Sequence, residues 1–504
     1  MSTPVRRGWV TVAVMSATVM QAIDTTIANV ALPHMQGALS ASFGQIAWVL
    51  TSYIVASAIC IPLTGFLAAR FGRKRVFTVS VIGFTIASML CGAAQSLTEI
   101  VAARLLQGAF GAALVPLSQA VLLDTWPRER HASAMAWWGV GVMLGPVIGP
   151  TLGGFLTEYY SWRWVFYINV PIGVLAWIGV TVFVPETPIA RERRFDLFGF
   201  GLLAVAIGAL QLCLDRGETL GWFDSTEIVI EASVAALCCY MFIVHMFTHD
   251  EPFLEPAIFR DRSFVAGSAF ALVVGLVLLA TIALLPPYLQ TLLGYPVRDV
   301  GVLLAARGCG TMLGMLLVGR IGDRVHPLRL IFPGMLLNGG ALYWMSLFSL
   351  DTTPAMIFGS GLVQGVGIGL IFVPLSALTF STLAPQLRNE GTAFYSLTRN
   401  IGSSVGVSAV TSLLAQHAQS NHAALVQYAS PLNVVTRLPG YPAEWSLQST
   451  GTIAALEHEI TRQSLLLAYV QDFRLMLWLC VLATPLLLMF SRRGRTPPAP
   501  TGIE

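Results

Sequence analysis

The chain has 504 residues, of which 55% are hydrophobic and only 11% charged, with a formal net charge of +3. Soluble domains carry roughly twice that density of charge. Too few polar atoms are present to cover a water-facing surface, which excludes a disordered chain, a secreted scaffold or an ordinary cytosolic enzyme and points to a lipid bilayer. The basic residues are arginine apart from Lys74, and so small a net charge argues against a nucleic-acid partner.

In chain order, Arg6 and Arg7 precede an apolar run that continues to Leu32 with no small-residue cleavage site, so it reads as a retained first helix. Apolar stretches of spanning length lie at about 9–32, 45–68, 76–95, 98–123, 132–156, 162–184, 196–214 and 227–247, then at 263–287, 299–320, 328–350, 355–380, 391–415 and 473–491. Fourteen spans put both termini on one side. The loops of that side hold most of the arginines, whereas the opposite loops hold Arg163, Arg216, Arg298, Arg437, Arg462 and Arg474, so both termini are expected in the cytoplasm. Cys60, Cys91, Cys213, Cys238, Cys239, Cys309 and Cys480 fall in apolar runs without metal-type spacing and read as small buried hydrophobes.

An internal repeat organises the spans. Gly65 to Arg70 recurs as Gly319 to Arg324, Gln107-Gly108 as Gln364-Gly365, Pro127 with Arg130 as Pro385 with Arg388, and Gly145 with Gly149 as Gly402 with Gly406. The expected division is a six-helix bundle over 9–184, a polar connector and two inserted helices over 185–262, and a second six-helix bundle over 263–491. The last includes an outer loop at 416–470 that turns around Pro431, Pro439, Gly440 and Pro442 and is helical from about Thr452.

Span five carries Gly141, Gly145, Gly149 and Gly153 at steps of four beside Pro146 and Pro150. Such a stripe lets a neighbouring helix approach closely, either as packing alone or as a hinge and seal between moving halves. The loop after span two, Gly65 to Arg75 with Arg70, Gly72 and Arg73, carries either orientation charge or a cytoplasmic latch. Its recurrence with Asp323 and Arg324 favours the latch.

These stretches, with Asp24 to Pro33, Arg104 to Gly108, Gly139 to Gly154, Ile168 to Gly173 and Leu214-Asp-Arg-Gly217, make the chain resemble the major facilitator superfamily. Within it, the resemblance is to the fourteen-helix drug/proton antiporters of the EmrB/QacA type. It covers nearly the whole chain, with one departure, Ala69 standing where the superfamily loop usually has an acid. The resemblance implies an all-α membrane protein of two six-helix bundles plus two inserted helices. It implies proton-driven export of amphipathic compounds by alternating access from a bacterial inner membrane, with no cofactor and no enzymatic step. An EmrA-like periplasmic adaptor and a TolC-like outer-membrane channel are the partners it suggests. Export of one natural metabolite, such as a fatty acid or siderophore, and a non-transporting sensor are the other readings.

Ionisable groups inside spans are costly in hydrocarbon and so mark function or mutual pairing. Asp24 lies about 10 Å and Arg104 about 9 Å below the outer ends of spans one and four, at matching depth. Gln21 and Thr25 share the Asp24 face and Gln107 the Arg104 face. Asp24 and Arg104 are the expected proton-coupling pair, with a stabilising ion pair as the alternative. Repeat offsets put Leu278 and Gly361 at their places in the second half, which predicts a one-sided proton site. Gln21, Thr25, Gln107, Gln364, Arg399 and Asn400 are expected to line the substrate cavity, although Arg399 and Arg307 could instead snorkel along helix ends. His245 and His249 have metal spacing beside Asp250 and Glu251, but at a span end they read as an interfacial polar cluster, and no metal site is expected. No nucleotide-binding loop accompanies them, so ATP is not the expected energy source.

Overall fold

A computed structural model describes residues 7–186, 195–429 and 449–490. They form fourteen long helices: α1 (Arg7–Ala38), α2 (Trp48–Phe71), α3 (Arg73–Ala93), α4 (Leu97–Thr125), α5 (His131–Tyr159), α6 (Trp164–Phe183), α7 (Leu197–Leu220), α8 (Thr226–Thr248), α9 (Arg262–Pro287), α10 (Val297–Ile321), α11 (Pro327–Met345), α12 (Pro354–Thr379), α13 (Arg388–Val426) and α14 (Thr450–Ala483). A helix satisfies its backbone groups internally, which hydrocarbon demands. Polar caps set the boundaries: Ser96 accepts from the Glu99 amide at the start of α4, and Asp261 accepts from the Ser263 and Phe264 amides at the start of α9. Gly72, at φ 88°, lets α2 turn directly into α3.

Among the described residues, twelve helices are long and apolar enough to cross a membrane by length and composition. α11 and α13 fall short of that measure. Arg329 and Asn338 dilute the hydropathy of α11, as Arg388, Asn389, Glu390, Arg399 and Asn400 dilute that of α13.

α1 packs on α5 and α6, α4 on α2 and α3, and α3 on α6; α9 packs on α13, α12 on α10 and α11, and α14 on α13 and α11. The two sets meet where α5 touches α10 and α12, and where α13 touches α2 and α4. α7 and α8 pair with each other, and α7 leans on both α2 and α13. Outward faces stay apolar, as at Leu175, Leu237 and Leu482, which suits a lipid surround.

Two expectations need correction. The segment expected to leave the helix at 416 does so later, because α13 continues to Val426; the helix expected from about Thr452 begins at Thr450 as α14, and the turn around Pro431, Pro439, Gly440 and Pro442 lies outside the described residues. At 1.5 Å per residue, 39 and 34 residues give helices of about 58 and 51 Å, well beyond a hydrocarbon core of roughly 30 Å. Polar contacts hold the two extensions together: Asn421 donates to the Ser464 carbonyl and to Gln471, and His422 bonds Glu457 at 2.8 Å. The cysteines are also not uniformly buried, since Cys239 and Cys309 are exposed.

At the arginine-rich end, hereafter the basic end, Asp196 anchors the inserted pair. Its carboxylate accepts from the Gly199 amide at 2.8 Å, from the Phe253 amide at 3.0 Å and bonds His245 at 2.9 Å, joining α7, the C-terminal turn of α8 and the segment beyond it. Burial pushes this carboxyl upward, but those hydrogen bonds and His245 together outweigh burial and hold it below its ordinary value. Asp196→Ala is expected to cost about 1 kcal/mol through the lost helix cap, read as a lower Tm in detergent. With the folded value depressed, the stabilisation is complete above about pH 4 and is lost as the pH falls through the folded value. The Tm gap between the variant and the native chain should therefore close in acid.

Candidate functional site

Asp24, midway along α1, is fully buried. Its Oδ2 accepts from Arg104 Nη1 at 2.8 Å, and its Oδ1 accepts from Gln107 Nε2 and Asn169 Nδ2, each at 2.7 Å. α4 supplies Arg104 and Gln107, one turn apart, and α6 supplies Asn169. Arg104 is satisfied in turn: Nη1 also donates to Gln107 Oε1 at 2.8 Å, Nε donates to the Val49 carbonyl at 3.0 Å, and the guanidinium lies 4.3 Å from the centre of the Tyr53 ring. Asn169 also donates to Ser88 Oγ, which donates to the Phe166 carbonyl. A buried pair with this many donors is matched in charge and hydrogen bonding, whereas removing one partner strands the other, typically at about 3–5 kcal/mol.

The expected cavity residues divide. Gln107 joins the carboxylate cage, and Gln21 donates to the Tyr53 hydroxyl at 3.2 Å, beside Arg104. Thr25 turns back to the Ala22 carbonyl of its own helix. In the second half Gln364 is buried and donates to Thr281 at 3.3 Å, so a neutral hydroxyl stands where Gln107 meets a carboxylate. Leu278 and Gly361 are not a neutral copy of the pair: Leu278 lines a small pocket with Asn338 and Cys480, and Gly361 lies beside Arg307. Arg399 lies 5.5 Å from the centre of the Phe372 ring, and Asn400 is half-buried. Arg307 holds a buried Nη1 with no hydrogen-bond partner among the described residues.

Asn169, Ser88 and Tyr53 are the members of the site that charge and depth did not single out. Asn169 does fall within Ile168 to Gly173, one of the stretches that carry the family resemblance, and that was the available signal.

The glycine stripe faces α1, inside the first half, and not the other half of the molecule. A Cβ on Gly145 would meet the Ala22 carbonyl carbon at 2.4 Å, and one on Gly149 would meet Thr26 Oγ1 at 2.1 Å, while Gly141 and Gly153 face Met15 and Ile27. Thr26 Oγ1 donates to the Gly145 carbonyl at 3.0 Å across this contact. Pro146 and Pro150 lie within α5, which remains continuous. The halves meet on a different face, where Gly139 abuts Met315, Val147 abuts Gly308 and Trp138 stacks on Phe372. A seal between halves was the wrong partner for the stripe, because glycine spacing reports close approach and not which helix approaches.

At the basic end Gly65 lets α2 approach the backbone of Asn389 and Glu390, with a Cβ-to-Cα separation of 3.0 Å from Glu390. Arg73 donates to Asn389 and to Asp124, and Asp124 also accepts from Arg388 at 2.5 Å. Asp323 receives the Ser133 amide at 3.2 Å and the Ser133 hydroxyl. Arg70 lies over the rings of Phe66 and Phe71, and Arg324 is exposed. Asp124, Ser133, Arg388 and Asn389 thus complete a cross-half contact of which the loop motif showed only one side.

Asp196, His245 and His249 bring ligand atoms within 4.8 Å of one another and are the described residues best placed to hold a metal ion. Both Asp196 oxygens are already engaged by amides and His245, so the cluster acts as the anchor described above.

Residues 14–407 match the family model described as Major Facilitator Superfamily, and the chain belongs to that superfamily of membrane transporters. More narrowly it is of the EmrB type: it is 35% identical to "Multidrug export protein EmrB" of Escherichia coli (strain K12), over 92% of this chain and 91% of the relative. It is 34% identical to "Fatty acid resistance protein FarB" of Neisseria gonorrhoeae, over 92% of each. Among solved structures, the proton:xylose symporter XylE aligns with a TM-score of 0.61 over 94% of both chains at 12% identity, a likeness of fold alone.

Two outcomes test this geometry. Asn169→Ala removes a hydrogen bond to a charged group, worth about 1.5–3 kcal/mol, and thermal unfolding in detergent should show a smaller loss when Asp24→Asn is already present. Gly145→Ala should lower the Tm by overpacking worth about 1–3 kcal/mol. Gly154→Ala, whose Cβ would meet nothing within 4 Å, should leave the Tm unchanged.

Proposed function

We propose that the protein is a proton-driven multidrug exporter working by alternating access, with Asp24 as the coupling carboxylate and Arg104 as its counter-charge. The observation that carries this reading is the Asp24 cage: a fully buried acid held by three donors from two other helices, Arg104 among them, with neutral Thr281 beside the corresponding glutamine of the second half. A proton on Asp24 cancels its charge, releases Arg104 from the ion pair and makes the carboxyl a donor, so the two protonation states favour different helix arrangements. The contacts of Asp124 with Arg388 and of Ser133 with Asp323 close the basic end, which in this reading is cytoplasmic, so the described state is the one that faces outward. The superfamily membership and the multidrug name of the EmrB relative support the substrate class.

The membrane is the bacterial inner membrane, with both termini in the cytoplasm. The paired extensions of α13 and α14 are the surface an EmrA-like adaptor would contact, leading to a TolC-like channel. Shortening that surface is expected to impair efflux from cells while leaving flux in vesicles intact; equal loss in both would assign the extensions to the transporter itself.

Fatty-acid export is a second reading, favoured by the Nη1 of Arg307, which has no hydrogen-bond partner among the described residues and belongs to a cation that an anionic head group would neutralise. Arg307→Gln should then depress fatty-acid flux more than ethidium flux.

The coupling role is tested in proteoliposomes. Asp24→Asn preserves size and hydrogen bonding but removes the charge, so ethidium accumulation driven by a proton gradient should vanish while downhill exchange of a neutral dye persists. Continued uphill transport by Asp24→Asn would overturn the assignment.

A further inference from the structure

The Leu214-Asp-Arg-Gly217 stretch has no part in the Asp24 cage, yet it lies in the most polar helix contact that the inserted pair makes. α7 occupies the seam between α2 of the first half and α13 of the second, and near the basic end it packs by apolar contact: Ile207 clusters with Ala58, Ile61, Ala393 and Leu397. Towards the opposite end the contact becomes a ladder. Ser404, Ser408 and Ser412, four residues apart on α13, bond to Gln211 at 3.0 Å, to the Leu214 carbonyl at 2.8 Å, and to Glu218 and Trp222. Towards α2 one side-chain hydrogen bond is found at that level, from Thr51 to Asp215, beside the Arg216 guanidinium 5.6 Å from the Trp48 ring centre.

The imbalance matters because interhelical hydrogen bonds between polar side chains act as glue between spans, so a helix follows the neighbour to which more of them tie it. Three bonds on parallel helices hold α7 to α13 and a fourth ties Ser412 to Trp222 just beyond α7, whereas a single side-chain hydrogen bond among the described residues faces α2 at that level. In hydrogen bonds the joint to α2 at this level is the lighter one, while apolar packing joins α7 to both neighbours around Ile207.

We propose that α7 is the side wall of the outer opening, carried by the second half through the Ser404–Ser408–Ser412 ladder and joined to the first half at Asp215 and Thr51, where the wall parts at each change of face. Asp215 is thereby a positioning residue, and the wall keeps lipid out of the cargo path on the α2–α13 side. This rests on the alternating-access reading above.

The test uses the full chain with its native cysteines replaced, and two added pairs, Gln211→Cys with Ser404→Cys and Thr51→Cys with Asp215→Cys, bridged by a short reversible bis-thiosulfonate reagent. Ethidium flux in proteoliposomes should survive the first bridge, be lost on the second and return on reduction. Loss on the first bridge, or survival through the second, overturns the proposal; no gradient-driven flux by the native chain counts against the transport reading instead. Spin labels at Thr219 paired with Ala47 or with Gln416 give a readout that leaves the joint intact. Adding ethidium and acid should change the first distance and not the second, and the reverse pattern overturns the proposal.

Discussion

A carboxylate that cannot reach water is the constraint around which the first half is arranged. Hydrocarbon offers Asp24 no solvation, so donors must come from neighbouring helices, and each donor fixes a helix. Arg104 and Gln107 set the rotation of α4, Asn169 that of α6, and the Val49 carbonyl draws in the start of α2 through Arg104. The glycines of α5 complete this from behind: with side chains absent at Gly145 and Gly149, α1 is pressed against α5 at the level of Ala22 and Thr26, immediately beside the acid. Polar satisfaction on one face of α1 and backbone contact on the other leave it no rotational freedom. Asp24 therefore moves with its bundle.

The second half shows what the matching positions look like without a carboxylate; its own fully buried acid, Asp472 on α14, meets His417 at 3.1 Å instead. Gln364 and Thr281 meet where Gln107 and Asp24 meet, and Gly365 and Gly369 bring α12 against α10, where a Cβ would collide with the Arg307 and Thr311 carbonyls. Charge is present as Arg307 and Arg399, and neither forms an ion pair among the described residues.

How much of this was legible in the sequence follows from what each signal measures. Apolar run length reports lipid-facing helix, and it passed over the polar extension of α13 to Val426, where helical structure continues without hydrophobicity, whereas the helix leading into the last span was legible from about Thr452. Rarity made Asp24 and Arg104 conspicuous, because charge inside a span is uncommon whatever the fold. Asn169 and Ser88 are uncharged and common, so only their positions in three dimensions reveal them. Ser404, Ser408 and Ser412 were silent for a related reason: a helical serine ordinarily bonds its own backbone, and nothing in a four-residue spacing says that the hydroxyls have found another helix. The glycine stripe announced close approach but not its partner.

Asp124 is shared by two arginines from opposite halves, Arg73 at 2.6 Å and Arg388 at 2.5 Å. If the halves part here, as the proposed alternating access requires, the acid keeps Arg73 on the first half and Arg388 loses its anion. Closure therefore behaves as a three-body clasp in which one anion suppresses the repulsion of two cations. About a third of the Asp124 side chain is exposed, so dissolved ions reach the clasp and weaken it by screening. The ease with which the basic end opens is thus tied to the ionic strength of the compartment it faces, a sensitivity that the buried Asp24 cage does not share.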